Sequence, residues 1–172
     1  MSRKITLSKL CLLLVLIINT LAGGSKLLAQ TAGSYTFAQT SGTYTPITGG
    51  TVINTTIPDS WQSLAIPLTP GFYFCGTMYT TAYMTSNGVI GLGGTAGPGT
   101  GTYNGIATTG GGSGDNLCPF GADQIGSSAT GATPEMRYQL VGNEHVFQWK
   151  DISRYPATTD RFSYQARLNT IT

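Results

Sequence analysis

Between Glu135 and Lys150 a single pairing register sorts the side chains by character, and few folds accept such a stretch. With Gly142-Asn143 as a two-residue turn, Leu140 opposes His145, Tyr138 opposes Phe147 and Met136 opposes Trp149, all on one side. The reverse side pairs Gln139 with Val146, Arg137 with Gln148 and Glu135 with Lys150, the last an opposite-charge rung. A one-residue slip would exchange the two faces, so the pattern predicts two antiparallel strands with a core face and a solvent face. Arg161 to Leu168 alternate again: Phe162, Tyr164, Ala166 and Leu168 point inward, Arg161, Ser163, Gln165 and Arg167 outward. Between them Asp151 to Asp160 read as a polar loop carrying Tyr155-Pro156.

A second hairpin is predicted over Phe72 to Leu92, because Asn87-Gly88 suits a type I′ turn, in which both central residues take positive φ. That turn sets Ser86 against Val89, Thr85 against Ile90, Met84 against Gly91 and Tyr83 against Leu92. Both faces then carry apolar groups, which places the hairpin inside a sheet rather than at its edge. Upstream, Tyr35-Thr36-Phe37, Thr43 to Ile47, Thr51 to Ile53 and the alternating Leu64, Ile66 and Leu68 are short strand-like runs punctuated by Ser41-Gly42 and Gly49-Gly50. Pro46 lacks an amide donor and belongs on an edge or at a strand end. The expected fold is all-β, an antiparallel, jelly-roll-like β-sandwich, as one domain over residues 30–172.

Arg3, Lys4 and Lys9 precede an apolar run from Leu10 to Ile18, too short for the roughly 20 residues of a membrane span. With Ala29-Gln30 as the cleavage point, residues 1–29 read as an export signal. Its removal takes four of nine basic residues and none of the seven acidic ones, so the formal charge moves from +2 to about −2. No basic cluster remains to follow a phosphate backbone, which argues against nucleic acid as a partner, and membrane insertion is not expected after cleavage. Only 9% of residues are charged, yet 40% are apolar and nine are Tyr, so the chain can build a core. The address expected is secreted or cell-surface.

In an oxidising compartment Cys75 and Cys118 either join in one disulfide or stay as two buried thiols. Asp115, Asn116 and Asp123 offer three oxygens where calcium needs six to eight, and one His cannot complete a zinc site, so no metal or other cofactor is expected. The glycines between Gly93 and Asp115 lack the Gly-Lys-Ser/Thr ending and following helix of a phosphate loop. Trp61, Tyr103 and Tyr155 are the candidate ligand-binding residues, aromatic platforms for a sugar ring; each also reads as core or rim packing. His145, the only imidazole, falls mid-strand on the inward face, as a core residue rather than a general base. Asp59, Asp123, Glu135 and Asp151 form no recognisable glycosidase pair, and catalysis is not expected.

The order of several short motifs supports a family resemblance. Tyr35-Thr36-Phe37, Ser41 to Tyr44, Ile66-Pro67, Gly71 to Phe74, Gly76-Thr77, Tyr79-Thr80 and Ser86-Asn87-Gly88 together resemble the N-terminal β-sandwich module of large secreted Bacteroidetes proteins. Tyr79 followed eight positions later by Asn87-Gly88 also resembles the hairpin of nidogen-like extracellular domains. Pro119-Phe120 with Asp123, Phe147 to Lys150 and Phe162 to Leu168 extend the likeness over nearly all of the mature chain, though Gly121 and Ala122 depart from the aromatic and acidic residues usual before that Asp. The resemblance implies further fibronectin type III-like repeats and a type IX secretion sorting domain downstream, so the chain is expected to be truncated. It implies a non-catalytic extracellular module acting in adhesion or surface interaction, with another surface protein or an extracellular polysaccharide as partner. The alternative is a carbohydrate-binding module appended to a secreted hydrolase.

Overall fold

A computed structural model describes residues 36–94, 97–100 and 115–171. The signal segment and Tyr103 lie outside the described residues. Among the described residues nine strands run in chain order: β1 (Thr51–Asn54), β2 (Ile66–Phe74), β3 (Thr77–Met84), β4 (Ile90–Leu92), β5 (Asn116–Leu117), β6 (Gln124–Gly126), β7 (Glu135–Val141), β8 (Glu144–Arg154) and β9 (Phe162–Asn169). They form two antiparallel sheets, β2-β3-β4-β5 and β1-β7-β8 with both β6 and β9 on β8. Among the described residues no helix is long and apolar enough to cross a membrane.

The 135–150 register holds at all six predicted rungs, from Glu135 with Lys150 to Leu140 with His145. Gly142 alone of the two turn residues has positive φ, 58°, as a type II′ turn requires. Met136, Phe147 and Trp149 are fully buried between the sheets with Ile66, Leu68, Met84, Ile90 and Leu92. Phe162, Tyr164, Ala166 and Leu168 pack against that core from β9, as their alternation predicts.

The other hairpin departs from its predicted register by one residue: Met84 pairs with Ile90, Tyr83 with Gly91 and Ala82 with Leu92. Gly88 is at φ 74° but Asn87 is not in the left-handed region. The Gly88 amide donates to Thr85 O, and the Thr85 amide donates to Val89 O. This is the three-residue loop built on a type I turn followed by a left-handed glycine. The shift has a packing reason, because it gathers Ala82, Met84, Ile90 and Leu92 on the core face and leaves Tyr83 on the other. As expected, β3 and β4 are interior strands.

Other differences are local. Phe37 and Thr43 to Ile47 are not in strands. Leu64 precedes β2 and is 89% exposed, while Ile66 and Leu68 are buried. β8 continues through the predicted loop to Arg154, with a bulge between Trp149 and Ile152 where Asp151 takes φ 52°. Ile171 is exposed and starts no strand.

The predicted solvent face of β7 and β8 is covered. Val146 and Gln148 are fully buried there, and residues 44–49 cross the outer surface of the sheet as a strap that covers Gln148. Arg137, Gln148 and Gln165 form one row across β7, β8 and β9, and each hydrogen-bonds the strap's backbone. Polar alternation therefore marked the outward side correctly, and the strap's carbonyls supply partners that water was expected to supply.

Candidate functional site

The Trp61 to Ile66 segment is pinned beside the end of β3. Ser86 Oγ accepts from the Trp61 amide at 2.9 Å, the Ser86 amide donates to Trp61 O at 2.8 Å, and Ser63 Oγ accepts from the Met84 amide at 2.9 Å. Held there, the segment faces β1, the edge strand of the other sheet. A cavity of about 330 Å³ lies between them, walled by Thr51, Val52, Ile53, Trp61, Leu64 and Ile66 among others. Trp61 is half-buried, its ring packed against the core on one side and bordering this groove. Val52 is 44% and Leu64 89% exposed, so the walls are apolar and open. None of the lining residues is ionisable, and the groove can bind an apolar face but cannot exchange a proton.

Tyr155 is exposed, in the turn after β8, and its amide donates to Asp123 O at 2.9 Å. It does not line the Trp61 groove, so the structure does not unite these two candidate platforms. Beside that turn Asp123 shares a hydrogen bond with Asp59; burial first, and then the Asp59 charge, push its carboxyl above the usual range. No group of three or more metal-ligating side chains occurs among the described residues.

Cys75 precedes Thr77, the first residue of β3, whereas Leu117 pairs through Ile90 with Met84, the last. No bond joins Cys75 to Cys118, and burial pushes the Cys118 thiol up. The sequence brings both cysteines to half-buried positions, and their neighbours Phe74 and Leu117 line one cavity, but the thiols stay free.

His145 is fully buried; its Nε2 lies 2.7 Å from Pro70 O and its Nδ1 2.8 Å from the Tyr138 hydroxyl. Pro70 O can only accept, so Nε2 carries a proton, and the Tyr138 hydroxyl lies within reach of both Nδ1 and Pro67 O. The imidazole thereby ties β8 to β2 of the opposite sheet.

The family described as NIDO related matches residues 34–172. The chain belongs to that family. No curated protein and no solved structure matches it. In this NIDO-related domain the match spans both sheets, including the strap and the groove. Neither the strap row nor the walls Val52 and Leu64 were singled out as functional from sequence. The exposed apolar pair was hidden because Leu64 shares the alternation of the buried Ile66 and Leu68.

Proposed function

We propose that this NIDO-related domain is a non-catalytic extracellular module of a secreted or cell-surface protein, engaging another surface protein in adhesion. The observation that carries this reading is the family match over the whole sandwich, 34–172. Its chemistry agrees: the described arginines are committed to carboxylate partners, and the only imidazole holds two strands together. Residues 1–29 act as the export signal, and fibronectin type III-like repeats with a type IX sorting domain follow in the parent protein. The test is to tag the natural protein and shave intact cells with protease. Loss of the tag together with loss of cell attachment on deleting the domain supports the reading; a tag protected inside the cell overturns it.

A second reading, a carbohydrate-binding module attached to a hydrolase, draws on the half-buried Trp61 beside an open apolar groove. Retention on insoluble polysaccharide that is lost in Trp61→Ala favours it. No retention on any polysaccharide removes it.

A further inference from the structure

The strap is held in an unusual way. Its backbone is not paired to a strand edge but gripped from below by side chains of β7, β8 and β9, which it crosses in turn. Gln148 Oε1 accepts from the Ile47 amide at 2.8 Å, and Gln148 Nε2 donates to Ile47 O at 3.3 Å, so one side-chain amide engages both backbone groups of one residue. Arg137 Nη1 donates to Thr48 O and Gly49 O at 3.1 and 3.2 Å, and Gln165 Nε2 donates to Thr45 O at 2.9 Å. Tyr44 OH adds one bond to Gln148 Oε1 at 3.0 Å. The row reads backbone, so it takes an extended segment with little regard for side chains. The exception is Ile47, the only strap residue whose side chain is buried, at 8% exposure.

The surface beneath is also built to survive without its cover. Glu135, Arg137, Gln139, Lys150, Ser163, Gln165 and Arg167 alternate outward on β7, β8 and β9, and Val146 is the one buried apolar residue among them. Lifting the strap therefore wets polar groups and exposes Ile47, and leaves the core between the sheets closed. The strap ends at Gly49-Gly50, directly before the edge strand β1, with Gly50 at φ 76°, where a hinge costs least.

We propose that the outer face of β7-β8-β9 is a backbone-reading peptide site, filled in the isolated chain by its own residues 44–49, and that the same segment of a second copy takes that place. Reciprocal exchange keeps every strap bond, because both faces remain covered. The balance between closed monomer and strap-exchanged dimer is then set by chain concentration and by the entropy of association. The hinge has no long linker, so the two exchanged copies stand close, β1 beside β1.

The test uses the mature chain and a fluorescent peptide of residues 43–50, followed by anisotropy and by sedimentation from micromolar to millimolar chain. The proposal expects saturable peptide binding, concentration-dependent dimers and dissolution of those dimers by excess unlabelled peptide. Replacing Ile47 by Asp in the peptide should weaken binding at least tenfold. Absence of peptide binding overturns the proposal. So does a chain that stays monomeric throughout, or a dimer that excess peptide leaves unchanged, since that dimer uses another interface.

Discussion

Tyr164 lies flat on Trp149, the ring centroids 4.9 Å apart and the planes 10° from parallel. The two are opposed on neighbouring strands, and each ring sends its polar atom elsewhere: Trp149 Nε1 donates to Thr85 O of the other sheet at 2.8 Å, Tyr164 OH to Gln124 Oε1 at 2.9 Å. Trp149→Ala should cost about 3–5 kcal/mol by cavity formation. Tyr164→Phe should cost about 1–2 kcal/mol, because the fully buried Gln124 loses a partner. Denaturant midpoints at constant m measure both, and a neutral Tyr164→Phe would contradict the buried bond.

Acid should weaken the fold through two carboxylates. Burial alone would raise the Asp151 pKa, but the Arg161 guanidinium and Thr133 hold it below the usual range; Arg137 does the same for Glu135. A depressed folded pKa gives stability that is present above the unfolded value, about 4, and is lost as pH falls through the folded one. Asp123 is raised, so its contribution runs the other way and is lost as pH rises through its folded pKa. Unfolding free energy measured between pH 3 and 6 should rise with pH, less steeply in Asp151→Asn and more steeply in Asp123→Asn. Equal slopes in all three proteins would remove this account.

Two glycines at positive φ should respond differently to alanine. At Gly88 a Cβ would lie 2.1 Å from Phe120 O and 2.6 Å from the Tyr164 hydroxyl, so Gly88→Ala should unfold the loop end or cost several kcal/mol, on the order of an overpacked core. At Gly142 nothing lies within 4 Å, and only the φ of 58° is penalised, about 1 kcal/mol. Thermal melts of the two variants should differ widely; similar melting temperatures would show that the Gly88 loop yields.

The pair of bonds at His145 should be visible as coupling. His145→Phe leaves Pro70 O and the Tyr138 hydroxyl without this partner, at about 1–3 kcal/mol each where they stay buried. Tyr138→Phe combined with His145→Phe should cost less than the two single changes summed, by about 0.5–3 kcal/mol. Strict additivity in the double-mutant cycle would separate the two residues.

Legibility in the sequence followed how much of an element's order is set by its own pattern. The β7-β8 register was readable because alternation and turn length agree, and β9 was readable from alternation alone. The β3-β4 register was not, because Asn-Gly serves two turn types. The choice was made by distant partners: Asn87 Oδ1 accepts from the Gln124 amide and Asn87 O from the Ala122 amide. Strap residues looked like a strand because Tyr44, Ile47 and their threonines suit one. That they lie on side chains of β7, β8 and β9, about a hundred positions downstream, has no local signature. For the candidate site, Trp61 was legible as an aromatic near an apolar run, but its groove depends on β1 arriving opposite it.

The strap, β1 and β9 all belong to the sheet built on β8, while β2 to β5 form the other sheet. A pull applied to the domain through its two ends therefore enters by the strap and leaves by β9 within one layer, and reaches the four-stranded layer only through cross-sheet bonds such as His145 Nε2 to Pro70 O and Trp149 Nε1 to Thr85 O. The layer that holds both ends meets such tension first, and the shared core passes it on to the second.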